Sequence, residues 1–518
     1  MWNRIAFPVV VFAGFLGGVL VLLVRAQEPR TNPGRAAAPR DAVLDAQTPR
    51  AVPIERPEQK KTAHDRSHIF TPSKALPTTS ALHDQTDQGQ FLGFDLYKDP
   101  VGAMKPGMTF DDVYKALVAA KPQVTATQRK LLESRYDLEP KLDPVVKMSR
   151  NKPLVVGPTA RLPEGTDWDA LAAMKPEEIR EKEIFPYKAL PHPAQGGGLG
   201  GMVFPQMQIK MFPRLERYDV EFDLPEAFLP EFPPAIYLQT RPELGDVSRG
   251  EVVSINNYYR LFVDILTPVQ LDGLRLLVTP FAQEEFNSTG DRKSAQPTLG
   301  VTCFDCHTNG HTSGQFHINP DTRPEQRRLR LDTVSLRGVF NQHIHGSKRS
   351  LRSVEDFTEF EQRTAYFNGD PIHALKKGMN ILDRIQVTHM AQLQNMLDFP
   401  PAPKLTLTGH LDPEKATPSE LAGEKLFFGK AQCATCHPAP FYLDNDMHDL
   451  HVERFLKDEA GDGPIKAFTL RGIKDSPPYL HDGRCLTLED TVEFFNLVQG
   501  IKLTKEEKTD LVAFLRQL

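Results

Sequence analysis

Four of the five cysteines in this 518-residue chain stand in two short patterns of the same form, and these constrain the fold most. The patterns are Cys303-Phe-Asp-Cys306-His307 and Cys433-Ala-Thr-Cys436-His437. CxxCH is the attachment sequence of c-type haem, in which both thiols bind one porphyrin and the histidine binds its iron. Twelve of the sixteen histidines also follow residue 300. We therefore predict two covalently bound c-type haems, with His307 and His437 as proximal iron ligands.

Other uses of paired cysteines fit the sequence less well. A thioredoxin-like pair needs a βαβ context and no histidine directly after it, and neither condition is met. A four-cysteine zinc site spaces its pairs by about 15–20 residues, whereas 126 residues separate Cys306 from Cys433. The fifth cysteine, Cys485, follows a glycine turn, and both a packed thiol and a reactive thiol are open for it.

The first 90 residues have the composition of a targeting segment followed by a tether. Residues 5–24 carry no charge and are largely apolar, and Arg25 ends this run. Residues 1–26 therefore suit either a membrane anchor or a signal peptide cleaved after Ala26, and export is predicted in both cases. Residues 27–90 are rich in Pro, Ala, Arg and Thr and are predicted to be a disordered tether. The net charge of −5 argues against nucleic-acid binding.

The remaining sequence divides into three predicted domains. Residues 91–295 are dense in proline and contain no catalytic pattern, so they are predicted to form an irregular α+β amino-terminal domain of unknown role. Residues 296–410 and 411–518 each hold one CxxCH motif and show helical periodicity. The predicted fold is mainly α, with two cytochrome-c-like haem domains in tandem. The predicted helices are Phe110–Ala120, Thr127–Tyr136, Ser353–Tyr366, Leu421–Phe428, Leu488–Leu497 and Lys505–Leu518, and the predicted strands are Val220–Phe222 and Ala235–Leu238.

A similar block of sequence follows each CxxCH motif. The blocks begin with Ser335-Leu-Arg-Gly-Val and Thr469-Leu-Arg-Gly-Ile, continue through a loop, and end with Val354-Glu-Asp-Phe357 and Val492-Glu-Phe-Phe495. We interpret them as two copies of one ancestral haem-binding unit. Arg337 and Arg471 recur in the blocks. We favour their pairing with haem propionates over exposure on the surface, because arginine binds carboxylates through two hydrogen bonds.

Together these patterns resemble the bacterial dihaem cytochrome c peroxidases, whose superfamily also contains the methylamine-dehydrogenase maturation enzyme. The resemblance covers residues 296–518 and is strongest from Leu426 onward, including Pro478-Tyr-Leu-His-Asp-Gly483; the chain resembles long, N-terminally extended members. It implies a periplasmic or otherwise extracytoplasmic oxidoreductase. The first haem would reduce hydrogen peroxide to water, and the second would accept electrons from a small c-type cytochrome or copper protein.

The resemblance also implies further residues around the haems. Family members use a glutamate beyond a glycine turn as the acid/base that moves a proton between the peroxide oxygens. The candidates beyond Gly346 are Glu355, Glu359 and Glu361. The candidate distal iron ligands are His311 and His317 for the first haem and His481 for the second, with His343 and His345 as alternatives at the first haem.

Two positions depart from the peroxidase pattern. Phe495 stands where the second haem of these enzymes has its methionine ligand, and a phenylalanine cannot bind iron. The loop His343-Ile-His345-Gly346 lacks their bridging tryptophan. A second haem without methionine would have a lower potential. Two alternatives therefore stay open: a dihaem enzyme that oxidises an organic or protein substrate through high-valent iron, and a non-enzymatic electron-transfer cytochrome.

Members of this family are often homodimers with calcium between their domains, and both features are predicted here from the resemblance. Asp444, Asp446 and Asp449 are the candidate cation ligands, although we favour a solvated acidic loop as the interpretation of these residues.

Overall fold

The computed structural model describes residues 110–188, 224–279, 281–283, 298–314, 316–317, 331–349, 351–361, 382–457 and 463–518. All of them belong to one compact unit, Pro72–Leu518. The predicted signal or anchor, the predicted tether and the strand predicted at Val220–Phe222 lie outside these residues. In the ranges just given, no helix is both long enough and apolar enough to cross a bilayer.

Helices dominate the described residues and the sheets are small, so the prediction of a mainly α fold is confirmed. The strands pair in four antiparallel two-stranded sheets, β1–β2, β3–β4, β5–β6 and β7–β8. The helices are α1 (Phe110–Arg135), α2 (Trp168–Ala173), α3 (Pro176–Lys182), α4 (Tyr258–Phe262), α5 (Pro268–Leu277), α6 (Cys303–Cys306), α7 (Val354–Glu361), α8 (Arg384–Gln394), α9 (Pro418–Phe428), α10 (Leu488–Val498) and α11 (Lys505–Leu515). The strands are β1 (Leu142–Lys147), β2 (Pro153–Val155), β3 (Phe281–Gln283), β4 (Thr298–Val301), β5 (Phe316–His317), β6 (Leu331–Asp332), β7 (Met447–His448) and β8 (Ile465–Lys466).

Several predicted boundaries are wrong. The two helices predicted before residue 137 are one helix, α1, which continues through Pro122. The proline removes one hydrogen-bond donor, and the helix tolerates this loss. The strand predicted at Ala235–Leu238 is extended chain with one isolated bridge, from Leu238 to Leu397. The final helix ends at Leu515 rather than at Leu518.

The helices of the carboxyl-terminal half begin at capping boxes. Thr417, Thr487 and Thr504 precede α9, α10 and α11, and each accepts a hydrogen bond from the backbone three residues later. The acidic side chain at that later position accepts in return from the threonine backbone N–H. This exchange satisfies two of the amide groups that a helix amino terminus leaves free.

Two apolar cores hold the fold together, and each combines residues from before and after position 295. One core packs residues 132–187 and 224–229 against α9, α10 and α11. The other packs residues 236–278 against α8 and against Phe304 and Leu336. Polar contacts reinforce the first core, because the Tyr136 hydroxyl donates to the Arg484 carbonyl at 2.7 Å. The amino-terminal region therefore packs directly against both CxxCH-containing parts of the chain.

From the Leu-Arg-Gly triplet to the start of the following helix, the two sequence blocks have the same backbone. The structure corrects the alignment of their ends, because Val354 corresponds to Leu488 and not to Val492. We define the first repeat as residues 303–361 and the second repeat as residues 433–498. From the Leu-Arg-Gly triplet onward, a residue of the first repeat corresponds to the residue 134 positions later, as Gly338 does to Gly472. Both glycines have a φ near +74° and precede a 3-10 turn, Val339–Asn341 and Ile473–Asp475. The bridges His345–Leu351 and Tyr479–Cys485 correspond, and so do the first residues of α7 and α10.

The repeats also contact each other through equivalent hydrogen bonds. The Asp332 N–H donates to the His481 carbonyl at 2.8 Å, and the Lys466 N–H donates to the Ser347 carbonyl at 2.9 Å. Two hydrogen bonds made by side chains are related in the same way. His311 Nε2 lies 3.0 Å from the Asp475 carbonyl. Asn445 Nδ2 lies 3.1 Å from the Asn341 carbonyl. In every case the two partners exchange roles under the shift of 134. The repeats therefore meet in a self-complementary way, as the subunits of a two-fold dimer do.

The segment after α8 lies against both Leu-Arg-Gly turns. A Cβ atom on Gly338 would lie 2.0 Å from the Phe399 ring, and one on Gly472 would lie 2.7 Å from Pro400 Cδ. Only glycine allows this approach together with the left-handed backbone conformation.

Candidate haem sites

The two CxxCH histidines are arranged alike. His307 Nδ1 lies 2.9 Å from the Val334 carbonyl, and His437 Nδ1 lies 2.9 Å from the Tyr442 carbonyl. A carbonyl only accepts, so each Nδ1 carries the proton and each Nε2 keeps a free lone pair. Burial lowers the pKa of His307 to about 4 and also lowers the pKa of His437, so both rings are neutral at neutral pH. A neutral ring with its second nitrogen anchored is the form in which histidine binds a metal.

The cysteines of both motifs are partly buried, and no disulfide joins them. Cys303 and Cys306 lie at the two ends of α6, and the second pair lies on a 3-10 turn, Cys433–Thr435. Among the described residues, no group of potential metal ligands joins the two pairs, and this disfavours a four-cysteine zinc site. Cys485 is fully buried, and burial raises the pKa of its thiol, which favours the packed thiol over the reactive one.

The two repeat arginines have protein partners. Arg337 Nη1 lies 3.2 Å from Asp475 Oδ2, and Nη2 donates to the Ala235 carbonyl, while the buried Nε has no partner. Arg471 donates from Nε to the Leu518 carbonyl at 2.9 Å, and its guanidinium lies 5.2 Å from the centre of the Phe399 ring. Pairing with propionates stays a prediction for both. The free Arg337 Nε is a buried donor suited to an anionic group such as a haem carboxylate, so the residues fit the cofactor.

His311 uses both of its ring nitrogens within the protein. Burial and the Arg337 charge hold its pKa well below the usual value, so the ring is neutral. Its Nε2 donates to the Asp475 carbonyl, and Nδ1 lies 2.7 Å from the Ser335 hydroxyl, which therefore donates. A distal-ligand role for His311 would require one of these bonds to break.

The other candidate distal ligands lie in different surroundings. His317 lies on β5 and pairs through its backbone with β6. His343 joins the repeats through its backbone N–H, which donates to Asn445 Oδ1. His345 is buried, and burial together with Lys466 lowers its pKa to about 4. His481 is partly buried and lies 3.9 Å from the Asp482 carboxylate.

The three candidate glutamates differ in their positions along α7. Glu359 Oε2 accepts from Arg384 at 3.0 Å, in an ion pair between α7 and α8. Glu355 lies in the first turn of α7, near His345. Glu361 is the last residue of α7, and the shift of 134 puts it at the position of Phe495.

The candidate calcium ligands face different partners. Asp444 Oδ2 lies 2.7 Å from His448 Nε2, Asp446 pairs with Arg349, and Asp449 lies near His451. Ligand atoms of Cys436, Asp444 and His448 do lie within 4.8 Å of one another. Calcium binding remains a prediction from the resemblance.

Three residues at the contact between the repeats had no place in the sequence prediction. These are Asp475, which binds Arg337, Phe399, which packs on Gly338, and Lys466, which is 3% exposed. The signal that could have found Asp475 and Lys466 is the register of 134, which aligns them with the unlike residues Asn341 and Asp332. Phe399 lies in the sequence between the two Leu-Arg-Gly triplets.

Comparison with known proteins identifies relatives in the predicted family. No protein-family model matches the chain. Cytochrome c551 peroxidase of Nitrosomonas europaea is 30% identical over 151 residues, which cover 26% of this chain and 44% of the relative. Cytochrome-c peroxidase IdrP1 of Pseudomonas sp. strain SCT is 25% identical and covers 19% and 40%. The methylamine utilization protein MauG of Methylorubrum extorquens is 28% identical and covers 18% and 33%.

These sequence matches confirm the resemblance to the dihaem cytochrome c peroxidase superfamily, and relatives from both of its named branches are enzymes. The matches span less than half of each relative. Among solved structures, hydrazine synthase of Kuenenia stuttgartiensis is 18% identical with a TM-score of 0.34, covering 52% of this chain and 94% of the other. A MauG-like protein associated with microbial copper homeostasis is 19% identical with a TM-score of 0.33, covering 42% and 82%. TM-scores this low do not establish a shared fold.

Proposed function

We propose that this protein is an exported dihaem c-type oxidoreductase that reduces hydrogen peroxide to water, using electrons from a small redox protein. Each peroxide would take up two electrons and two protons and give two waters. The observation that carries the proposal is the register of the repeats. Glu361 falls at the position of Phe495, which is where the peroxidases carry the methionine ligand of their second haem. Only the first repeat carries an acidic residue at this position, and this difference suits proton transfer at the first haem.

The proximal side of each site supports the same assignment. When bound, haem supplies an iron that accepts and donates single electrons. His307 and His437 would hold the two irons through Nε2. The carbonyls of Val334 and Tyr442 fix the ring orientations and make the imidazoles better donors.

On the distal side, Glu361 would move a proton from one peroxide oxygen to the other, which makes the departing oxygen a better leaving group. Glu359 is less suited because its carboxylate is paired with Arg384. We further infer that His311 joins the repeats rather than binding iron, because Asn445 makes the equivalent bond from the second repeat.

The location and the electron donor follow from the cofactor. Covalent c-type haem is attached outside the cytoplasm, and this agrees with the export predicted from residues 1–26. The donor would be a small c-type cytochrome or copper protein that meets the second haem. With Phe495 in place of methionine, that haem would have a lower potential than a His/Met haem.

A second candidate function has its own support. Phe495 removes the usual ligand, and MauG is among the relatives. Both favour a dihaem enzyme that oxidises an organic or protein substrate. In that case peroxide would be the oxidant, and the electrons would come from the substrate rather than from a donor cytochrome.

A peroxide assay separates these functions. Purified mature protein, with two haems confirmed by pyridine haemochrome, is mixed with peroxide and a reduced small cytochrome before and after one-electron pre-reduction. Fast oxidation of the cytochrome is the expected result. Negligible turnover with a peroxide-induced spectral change at one haem would favour the substrate-oxidising enzyme. Absence of both would contradict either enzyme and leave an electron carrier.

A further inference from the structure

A buried lysine lies where the two repeats meet. Lys466 belongs to β8 and is 3% exposed, and its backbone N–H donates to the Ser347 carbonyl of the first repeat. Its ammonium group lies 3.5 Å from Gln342 Oε1 and 5.1 Å from the centre of the Phe468 ring. Burial and the Arg349 charge lower the pKa of Lys466 to about 8, so it still carries a proton at neutral pH. This charge is buried with weak compensation from the protein.

A second cationic side chain, Arg349, is close enough for its charge to lower the pKa of Lys466. Arg349 donates from Nη1 to Asp446 Oδ1 at 3.0 Å, but its buried Nε has no hydrogen-bond partner. A buried donor without a partner destabilises the folded protein, and more so when it is charged. His345, which also faces Lys466, is neutral and offers no compensating negative charge. The nearby carboxylate of Asp444 is bound to His448.

The contact between the repeats has two equivalent halves, and only one of them contains the cationic pair Lys466 and Arg349. Under the shift of 134, Lys466 corresponds to Asp332 and Arg349 corresponds to Gly483. The equivalent position on the other side therefore carries a carboxylate and no arginine. This difference is expected if an anionic group occupies the first location and not the second.

The location is also close to the second CxxCH motif. The Asp444 N–H donates to the Cys436 carbonyl at 3.1 Å, and Met447 on β7 pairs with Lys466 on β8. Phe468, whose ring lies under the Lys466 ammonium group, also has its backbone carbonyl near His437. Lys466 therefore lies next to residues that would hold the second haem.

We propose that Lys466 and Arg349 form a carboxylate-binding site between the repeats. The lysine ammonium and the free arginine Nε would each donate to one carboxylate, forming charge-assisted hydrogen bonds. The carboxylate is either a propionate of a covalent haem, in which case the inference rests on the proposed function, or a small free carboxylate. In both cases the ligand supplies a negative charge next to Lys466 and a hydrogen-bond acceptor for the Arg349 Nε.

The test compares Lys466→Met, which keeps the side-chain length and removes the charge, with Lys466→Arg, which keeps the charge. Lys348→Met is the matched control, because Lys348 lies in the same contact and donates to the Pro464 carbonyl at 2.9 Å. Haem content is counted first in each full-length holoprotein. The midpoint potentials are then titrated without and with added acetate, and thermal unfolding is recorded over the same acetate series.

A propionate in the site predicts that Lys466→Met lowers the midpoint potential of one haem and leaves the other unchanged. Lys466→Arg would restore the wild-type value, and Lys348→Met and acetate would have little effect. A free carboxylate predicts that acetate raises the unfolding temperature of the wild type and not of Lys466→Met. If Lys466→Met matches Lys348→Met in potentials and acetate has no effect, the site does not exist. Absence of covalent haem would contradict the proposed function separately, because the acetate series needs no haem.

Discussion

The first and second repeats have the same backbone and carry different side chains where the haem chemistry would take place. Gly338 and Gly472 have nearly the same φ and ψ and begin equivalent 3-10 turns. Yet Glu361 corresponds to Phe495, and His345 corresponds to Tyr479. A shared backbone with unlike side chains is typical of a duplicated unit whose copies have taken different roles.

The contact between the repeats shows the same contrast. His311 and Asn445 make equivalent hydrogen bonds with different chemical groups. Arg337 meets Asp475, whereas the residue equivalent to Asp475 is Asn341, so the buried ion pair occurs once. The geometry of the contact is therefore symmetric while its charges are not. The experiments that follow each change one side of an equivalent pair.

The largest effect is expected from Glu361→Gln. Removing a general acid/base lowers rates by about 10²–10⁴-fold, so kcat/KM for peroxide should fall at least about 100-fold with both haems present. Glu359→Gln is the control, since that carboxylate is paired with Arg384. Stopped-flow measurement of the peroxide reaction checks this. Equal rates for the two variants would remove Glu361 from the mechanism.

Breaking the buried ion pair between the repeats, Arg337–Asp475, should have the next largest effect, on stability. Arg337→Met leaves the Asp475 carboxylate buried, with the Ser149 N–H at 3.1 Å as a remaining donor. Loss of one member of a buried pair costs about 3–5 kcal/mol. Arg471→Met removes hydrogen bonds to the backbone oxygens of Leu518 and Pro400 rather than a side-chain ion pair, and should cost about 1–3 kcal/mol. Urea unfolding of both variants measures the difference in the free energy of unfolding. Equal losses would show that the ion pair contributes no more to stability than the hydrogen bonds of Arg471.

Alanine substitutions at Gly338 and Gly472 compare the two repeats at one equivalent position. Alanine at either position adopts a left-handed backbone at a cost of about 1–2 kcal/mol. Gly338→Ala also drives its Cβ into the Phe399 ring, whereas Gly472→Ala meets only the edge of Pro400. Overpacking adds about 1–3 kcal/mol, so Gly338→Ala should be the less stable variant. Phe399→Leu should reduce that extra cost in a double-mutant cycle. No coupling between residues 338 and 399 would contradict this reason.

The sequence was sufficient for the features that depend on local chemistry. The CxxCH motifs and the Leu-Arg-Gly triplets are short patterns that can be interpreted without knowing the rest of the fold. It was insufficient for contacts between distant segments. Nothing local to Arg337 indicates that Asp475 will meet it, and nothing local to Lys466 indicates that it will be buried against Gln342. The packing of residues 132–187 on α10 was equally invisible, because it depends on the shape of a core built from the other end of the chain.

The smallest effect is expected from His311→Asn, which installs the side chain that makes the equivalent bond from the second repeat. An asparagine amide can donate to the Asp475 carbonyl as Asn445 does to Asn341, so the free energy of unfolding should change by about 1 kcal/mol or less. The ferric spectrum should also stay unchanged, because both His311 nitrogens are engaged within the protein. His317→Asn serves as the comparison, since His317 remains a candidate ligand of the first haem. A spectral change in His311→Asn alone would instead make His311 the distal ligand, and the hydrogen bonds between the repeats would then have to open before peroxide could reach the first haem.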